Sequence, residues 1–371
     1  MKKALILGTN AGQADIIHYL KDHSWEVHTC GHQRIGPGCN LADQFHLVDI
    51  LDVEGVKRKV HEIKADIVYS MASGLAIRTV TKVAEELDLP VLLNSDIVDL
   101  FHRKERLRQF LNDHDISTVS FKKVTSTDAL EAWDWLPCIV KPSDSQGQRG
   151  VQLVARKEKL YEALVSALEN SPSETVVLEE YLEGIECSIH MIVQNSKIII
   201  SEFTERLVHN HEYFGLPRGH RIPVRDISMD SILEADRMLE ALIDKLAIQD
   251  AVLYVQMIMT HNGPKIVEIA PRLDGCHIWR LIQHAKGYDL RQYNIDILLG
   301  NPIHHHPSVK DGPPYTLLFH QLETGTAFRY DNLITPKEAV YHEYRYKPGD
   351  IVRSINGNLE VAGYFIQKDQ Q

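Results

Sequence analysis

The stretch Cys138-Ile139-Val140-Lys141-Pro142-Ser143-Asp144-Ser145-Gln146-Gly147-Gln148-Arg149-Gly150-Val151 runs from a short apolar segment straight into a small polar loop. A lysine at the end of an apolar strand is unusual, because burying an ammonium group without a partner is costly. A phosphate is a natural partner for it. Gly147 and Gly150 allow backbone N–H groups to close over phosphate oxygens without side-chain obstruction. The loop lacks the GxxxxGKS/T pattern of a Walker A motif. On these residues alone, a strand-end lysine followed by an ordinary hairpin loop remains the alternative.

Upstream, apolar runs at 4–7, 25–29, 45–48, 66–70 and 91–93 alternate with helical patterns, among them 53–63 and a helix ending near Leu87. Strands alternating with helices predict a doubly wound parallel sheet, ending near Ser95. The turn Gly8-Thr9-Asn10-Ala11-Gly12-Gln13 after the first strand is not GxGxxG, and no acidic residue closes the second strand, so NAD is disfavoured. If that turn holds a ligand, substrate is the better candidate; otherwise it is a tight turn into a helix. Residues 96–111 read as a strongly charged helix that contains Lys104, and 116–124 as a strand.

Downstream, 176–181 and 187–193 read as strands, Asn195-Ser196 as a hairpin turn and 197–201 as the returning strand. Residues 231–246 form an amphipathic helix pattern. Strands at 252–260 and 264–269 flank His261-Asn262-Gly263, a second hairpin signal. The middle of the chain is therefore α+β with antiparallel sheet. Glu268 stands between Val267 and Ile269 and so points to the opposite face from them. Gln256 falls across the hairpin from it. A carboxylate there can hold Mg²⁺, which prefers oxygen ligands and bridges substrate phosphates. Arg272 can clamp a phosphoryl group or an oxyanion. Glu179, Glu180 and Glu186 flank the bend at Gly184 and can meet a ribose hydroxyl. The plain alternatives are an exposed acidic turn for these and a salt bridge for Glu268 and Arg272. His304-His305-His306 invites a metal reading, but consecutive residues on extended chain point to alternate sides, so a solvated loop is favoured. Residues 313–371 read as a small β-rich tail.

The chain has 371 residues, 44% hydrophobic and 25% charged, enough for two or three globular domains. A net charge of −11 without a basic, aromatic-laced stripe disfavours nucleic acid and anionic membranes as partners. Five scattered cysteines without a CxxC pair disfavour a disulfide framework and suit a reducing cytoplasm. The N-terminal apolar run is too short for a signal peptide, and no stretch approaches a membrane span. A homodimer is only the base-rate expectation.

Lys104 before a helix, IVKP with its small glycine loop, EEYLEGIE and VEIAPR occur in this order. Together they resemble the ATP-grasp superfamily over roughly residues 1–300. Within it the chain looks closest to the carboxylate–amine ligases, such as amino-acid and dipeptide ligases, and to carbamoyl-phosphate-synthase-like proteins. The resemblance implies a pre-ATP-grasp domain over 1–95 and a two-lobed ATP-grasp domain over 96–310, with a nucleotide-binding lobe at about 115–190 and a catalytic lobe at about 191–310. A β-rich subdomain over 311–371 follows. It implies ATP with Mg²⁺, or Mn²⁺ in its place, as cofactors, and small-molecule carboxylate and amine substrates. Lys104 and Lys141 would contact the phosphates, and the loop with Ser143, Ser145, Gln146, Gly147 and Gly150 would close over them. Glu179 and Glu180, with the backbone at Tyr181 and Leu182, would bind adenine, and Glu186 the ribose. Glu268 and Gln256 would hold the metal, and Arg272, with Lys141, would act in catalysis. Asp274, Gly275 and His277 would lie near substrate, joined by Glu205, Arg218 and His220. Two departures stand out: Gln256 replaces the usual carboxylate, and Ala270 replaces a frequent Asn. The implied reaction is amide formation through an acyl phosphate. Its rivals are carboxyl transfer through carboxyphosphate and nucleotide binding without catalysis.

Overall fold

The computed structural model describes all residues except 127–132, 134, 210–212, 304–311, 354–358 and 370–371. The His304-His305-His306 reading therefore lies outside the described residues.

The first layer comprises Lys3–Leu7 (β1), Ala11–Asp22 (α1), Glu26–Gly31 (β2), Gly38–Leu41 (α2), Gln44–Leu47 (β3), Val53–Ile63 (α3), Ile67–Tyr69 (β4) and Gly74–Glu86 (α4). Its four strands form a parallel sheet of order β3-β2-β1-β4. The strand period of two explains why helices cover both faces. Ala4 and Ile6 pack with Ile16, Ile17 and Leu20 of α1. Leu5 and Leu7 pack with Val56 and Val60 of α3 and with Ile77, Val80 and Val83 of α4. Residues 91–93, expected as a fifth strand, join no ladder. Pro90 offers no N–H to start one. Val91 stays exposed, while Leu93 turns into the core.

The charged helix expected over 96–111 is two helices, Ser95–His102 (α5) and Lys104–Asp113 (α6), because Arg103 is extended (φ −95°, ψ 100°). The break places Lys104 at the first position of α6, with its backbone N–H donating to Ser143 O at 3.1 Å. A small antiparallel sheet follows, from Phe121–Val124 (β5), Cys138–Pro142 (β6), Gln152–Val154 (β7) and Val176–Glu180 (β8), in the order β5-β8-β6-β7. Leu160–Glu169 (α7) covers one face by packing Leu164 and Ala167 on Val140, Val176 and Leu178. The strand expected from 116 begins only at Phe121. Ile116 is buried in the core, and Ser117 Oγ accepts the Ile266 N–H at 2.9 Å.

The remaining elements are Gly184–Gln194 (β9), Lys197–Val208 (β10), Pro217–Ile222 (β11), Met229–Lys245 (α8), Ala251–Thr260 (β12), Gly263–Ala270 (β13), Ile278–Lys286 (α9), Leu290–Leu298 (α10), Tyr315–Glu323 (β14), Tyr341–Tyr344 (β15) and Leu359–Lys368 (β16). The strands make one eight-stranded sheet, β13-β12-β9-β10-β11-β14-β16-β15. The C-terminal β-strands thus extend the central sheet. Asn195 and Ser196 both have positive φ, as a two-residue hairpin with the right twist requires. One face packs Ile189, Met191, Leu253 and Val255 under Ala235, Leu239 and Leu242 of α8. The other packs Ile192, Val252 and Ile366 against Trp279, Leu281 and Ile282 of α9. Both hydrophobic clusters continue into the parallel sheet, and Tyr69 OH bonds Asn294 Oδ1 at 3.0 Å. Among the described residues no helix is long and apolar enough to cross a membrane.

Candidate active site

A cleft opens where α4 of the N-terminal layer, α6, the loop after β6 and strand β13 meet, and Gly74, Lys104, Ser145, Gln146, Glu268 and Arg272 line it. These side chains come from α4, α6, the loop after β6, β13 and the segment after β13. Lys104 ties the loop down: its Nζ donates to Ser145 O at 2.8 Å and approaches Ser143 O at 3.5 Å. Ser143 is fully buried, its hydroxyl donating to Glu105 and accepting from Arg103 Nε at 3.3 Å. The loop bends through positive φ at Gly147, Gln148 and Gly150. At Gly150 a Cβ would lie 2.9 Å from Pro142 and 3.0 Å from Asn170, so glycine is required there for space as well as for φ.

Lys141, next to last in β6, is only 4% exposed, as its sequence context suggested. Its partner here is a carboxylate: Lys141 Nζ lies 2.6 Å from Glu179 Oε2, and Arg108 Nε donates to Glu179 Oε1 at 3.1 Å. Glu179, expected at adenine, is thus the centre of a buried triad. Burial raises its carboxyl, but the charges of Arg108 and Lys141 outweigh this and hold it down at about 2. Two cations share one carboxylate, so the triad keeps a positive excess. Burial, reinforced by Arg108 and Lys104, holds the Lys141 ammonium below the usual lysine range despite Glu179. The Lys104 charge reaches Lys141, so the two lysines belong to one electrostatic site that suits a polyanion.

Chain passes from the small sheet to the large one at residues 181–183. Tyr181 N–H donates to Pro137 O at 3.2 Å, and Glu180 Oε1 accepts the Ser120 N–H at 2.9 Å. Tyr181 and Leu182 are half-buried at this crossing. Glu186, at the start of β9, accepts from Arg206 Nη1 at 2.5 Å and from Gln256 Nε2 at 3.1 Å. Gln256 and Glu268 pair directly across β12 and β13, as the hairpin predicted. The Glu268 carboxylate has no hydrogen-bond or ion-pair partner among the described residues. With its amide N–H engaged by Glu186, Gln256 keeps Oε1 for another partner. No cluster of three His, Cys, Asp or Glu that could hold a metal occurs among the described residues. Two side-chain oxygens at a polyanion site nevertheless suit Mg²⁺, which takes one or two protein ligands and completes its shell with phosphate and water.

Beyond β13 the chain turns through Arg272, whose Nη1 donates to Leu273 O at 2.9 Å and whose Nε is buried without an acceptor. Asp274 is buried and bonds His190 Nε2 at 2.9 Å as well as the Cys276 N–H. His220 is 1% exposed, and neither ring nitrogen has a partner. Burial, with Arg206 and His190 against Asp274, pushes it down to about 3, so it is a neutral imidazole. Gly275 is exposed beside Ala72. His277, expected beside substrate, is 1% exposed with both nitrogens engaged, Nδ1 by Asp15 and Nε2 by Arg345.

Two expected substrate residues lie elsewhere. Glu205 pairs with Arg221 at 2.6 Å and, by strand alternation, faces away from its neighbour Arg206. Arg218 is exposed at the start of β11. Arg206 and His220, opposite each other across β10 and β11, take the inward positions. Sequence reading missed Arg108, His190, Arg206 and Arg345. Strand parity alone marks Arg206 as the alternative to Glu205; nothing in the sequence marks the others.

Residues 103–276, a little under half of the chain, match the model of the ATP-grasp domain. Among curated proteins, a formate-dependent phosphoribosylglycinamide formyltransferase of Prochlorococcus marinus subsp. pastoris is 29% identical over 187 residues, 49% of this chain and 48% of that protein. The chain thus spans about half the length of that relative. Among solved structures, an L-amino acid ligase from Bacillus licheniformis superposes with a TM-score of 0.81 at 15% identity, covering 99% of this chain and 93% of the other. The N5-carboxyaminoimidazole synthetase of Staphylococcus aureus, solved with ADP, gives 0.79 at 17% identity over 100% and 94%. These superpositions span the whole chain and show that it shares the fold of those structures.

Proposed function

We propose that the chain is an ATP- and magnesium-dependent carboxylate–amine ligase, with amino acids or other small carboxylates as substrates. The observation that carries this is the convergence of Lys104, Ser145, Gln146, Glu268 and Arg272 on one cleft, with Lys141, held in a buried triad with Glu179 and Arg108, just before the loop that Lys104 ties down. The relatives lend support: one is an amino acid ligase, and the name of another pairs formate, a carboxylate, with phosphoribosylglycinamide.

In this reading Lys104 and Lys141 bind the phosphates, and the loop from Ser143 to Gly150 covers them. Tyr181 and Leu182 present backbone to adenine, and Glu186 faces the ribose. Glu268 and the Gln256 oxygen would hold Mg²⁺, which would supply charge neutralisation at the phosphates. Arg272 aligns the substrate carboxylate for attack on the γ-phosphorus, and ADP leaves. The resulting acyl phosphate is attacked at carbon by the amine. Phosphate departs, and the nitrogen loses a proton as the amide forms. Catalysis is mainly positioning and charge neutralisation, with the closed loop excluding water from the acyl phosphate.

The test is phosphate release from ATP and Mg²⁺ in the presence of pooled amino acids and small carboxylates, with products read by mass spectrometry. ADP, phosphate and an amide that depends on a carboxylate–amine pair are expected. AMP and pyrophosphate would overturn the mechanism. Release driven by bicarbonate alone would replace it with carboxylation, and tight ATP binding without turnover on any pool would leave a binding protein.

A further inference from the structure

Ile266 and Ile269 of β13 pack into the same hydrophobic cluster under α8, although residues three apart in a regular strand point to opposite faces. The register explains this: Met257 pairs with Ile266 and Gln256 with Glu268, so Val267 is the extra residue of a β-bulge. Without the bulge Glu268 would share the face of Ile266 and enter the core; with it, the carboxylate lines the cleft. A bulge disrupts the ladder on its inner side. β13 is also the last strand of its sheet on that side, so no neighbouring strand steadies the outer side.

Two buried side chains take the place of that strand, both at the residue just before the bulge. Ser117 Oγ accepts the Ile266 N–H at 2.9 Å, and Arg108 Nη1 donates to Ile266 O at 2.8 Å. Ser117 and Arg108 are 1% and 2% exposed. The same guanidinium donates from Nε to Glu179 Oε1 at 3.1 Å, and Glu179 Oε2 lies 2.6 Å from Lys141 Nζ. Arg108 also stands one turn after Lys104 on the same side of α6. One side chain thus joins the helix that carries Lys104, the strands that carry Lys141 and Glu179, and the bulge that aims Glu268. The planar fork of a guanidinium can serve a carboxylate and a carbonyl at once in fixed directions, which an ammonium group cannot. An ion pair that only balanced Glu179 would need no bond to β13.

We propose that Arg108 is a positioning residue that, with Ser117, pins the Val267 bulge and so couples the phosphate-binding lysines to the metal-binding carboxylate of Glu268. This rests on the ligase reading for what the cleft binds, but its test needs no turnover. Calorimetric titration of the full chain with ADP, with and without Mg²⁺, reads the coupling as the ratio of the two dissociation constants. The wild type binds MgADP more tightly than ADP. Arg108→Lys keeps a cation beside Glu179 but gives up the Ile266 carbonyl, and it lowers the ratio at least about tenfold, as loss of a group that orients a metal ligand does. Ser117→Ala, which touches neither Glu179 nor the lysines, lowers the ratio several-fold and leaves ADP affinity without Mg²⁺ unchanged. Leu20→Ala, a cavity in the core of the N-terminal layer, lowers the melting temperature but not the ratio. Thermal melting accompanies every titration, and where Arg108→Lys melts too low to titrate, Ser117→Ala decides in its place. A wild-type ratio in Arg108→Lys, or an equal fall in Leu20→Ala, overturns the proposal. A wild-type ratio in Ser117→Ala beside a fall in Arg108→Lys removes only the share of Ser117. A wild type that gains nothing from Mg²⁺ overturns the metal reading of Glu268 and the proposal together, whereas a normal gain that Arg108→Lys does not move overturns the proposal alone.

Discussion

Replacing Glu179 with Gln keeps the shape of the side chain but removes the carboxylate that Arg108 and Lys141 share. The carboxyl is held at about 2 against an ordinary 4.5, a gap that corresponds to about 3 kcal/mol of folding stability. The same order follows from breaking a buried ion pair by removing one member, about 3–5 kcal/mol. The sign follows from the direction. A depressed carboxyl stabilises fully above its unfolded value, and the contribution is lost as pH falls from about 4.5 towards 2. Urea unfolding of wild type and Glu179→Gln, followed by circular dichroism, should therefore differ by about 3 kcal/mol at pH 7. The difference should fall below half by about pH 3. A difference under about 0.5 kcal/mol at pH 7, within the range of an ordinary surface change, or one equally large at pH 3, would refute the triad as the origin of the buried charge balance.

Two further outcomes are expected. Gly150→Ala should destabilise the chain by about 1–2 kcal/mol and depress ATP turnover, because φ is +72° and the new Cβ meets Pro142 and Asn170; thermal melting and phosphate release check it, and wild-type values for both would be contrary. Glu205→Gln and Arg206→Gln form a contrast of adjacent residues. The first should leave kcat/KM within about twofold, as for a pair away from the site. The second should lower it at least about tenfold, since it strips the partner of Glu186.

Local signals carried most of the secondary structure. The apolar run before the glycine loop became β6 over Cys138–Pro142, and α3 spans Val53–Ile63 as its periodicity requires. The hairpin at His261-Asn262-Gly263 fixed the pairing of Gln256 with Glu268, because a tight turn sets register. What failed depended on long-range choice. Leu92 and Leu93 are apolar enough for a strand but find no edge to pair with after Pro90. Lys141 was legible as a buried cation, while its partners Glu179 and Arg108 lie 38 and 71 residues apart from their bonded mates and carry no mutual signal. Glu205 and Arg206 are equally polar in sequence, and only the parity of β10 decides which faces inward. Arg345 enters through the last strands, whose return to the central sheet no local pattern announces.

Binding of ADP measured with and without Mg²⁺ in the wild type, Lys104→Ala and Glu268→Ala tests most directly whether one cleft holds nucleotide and metal together. Wild type should bind MgADP more tightly than ADP alone, Lys104→Ala should weaken both, and Glu268→Ala should erase the gain from Mg²⁺. ADP binding that is indifferent to Mg²⁺ and to both substitutions would contradict the assignment.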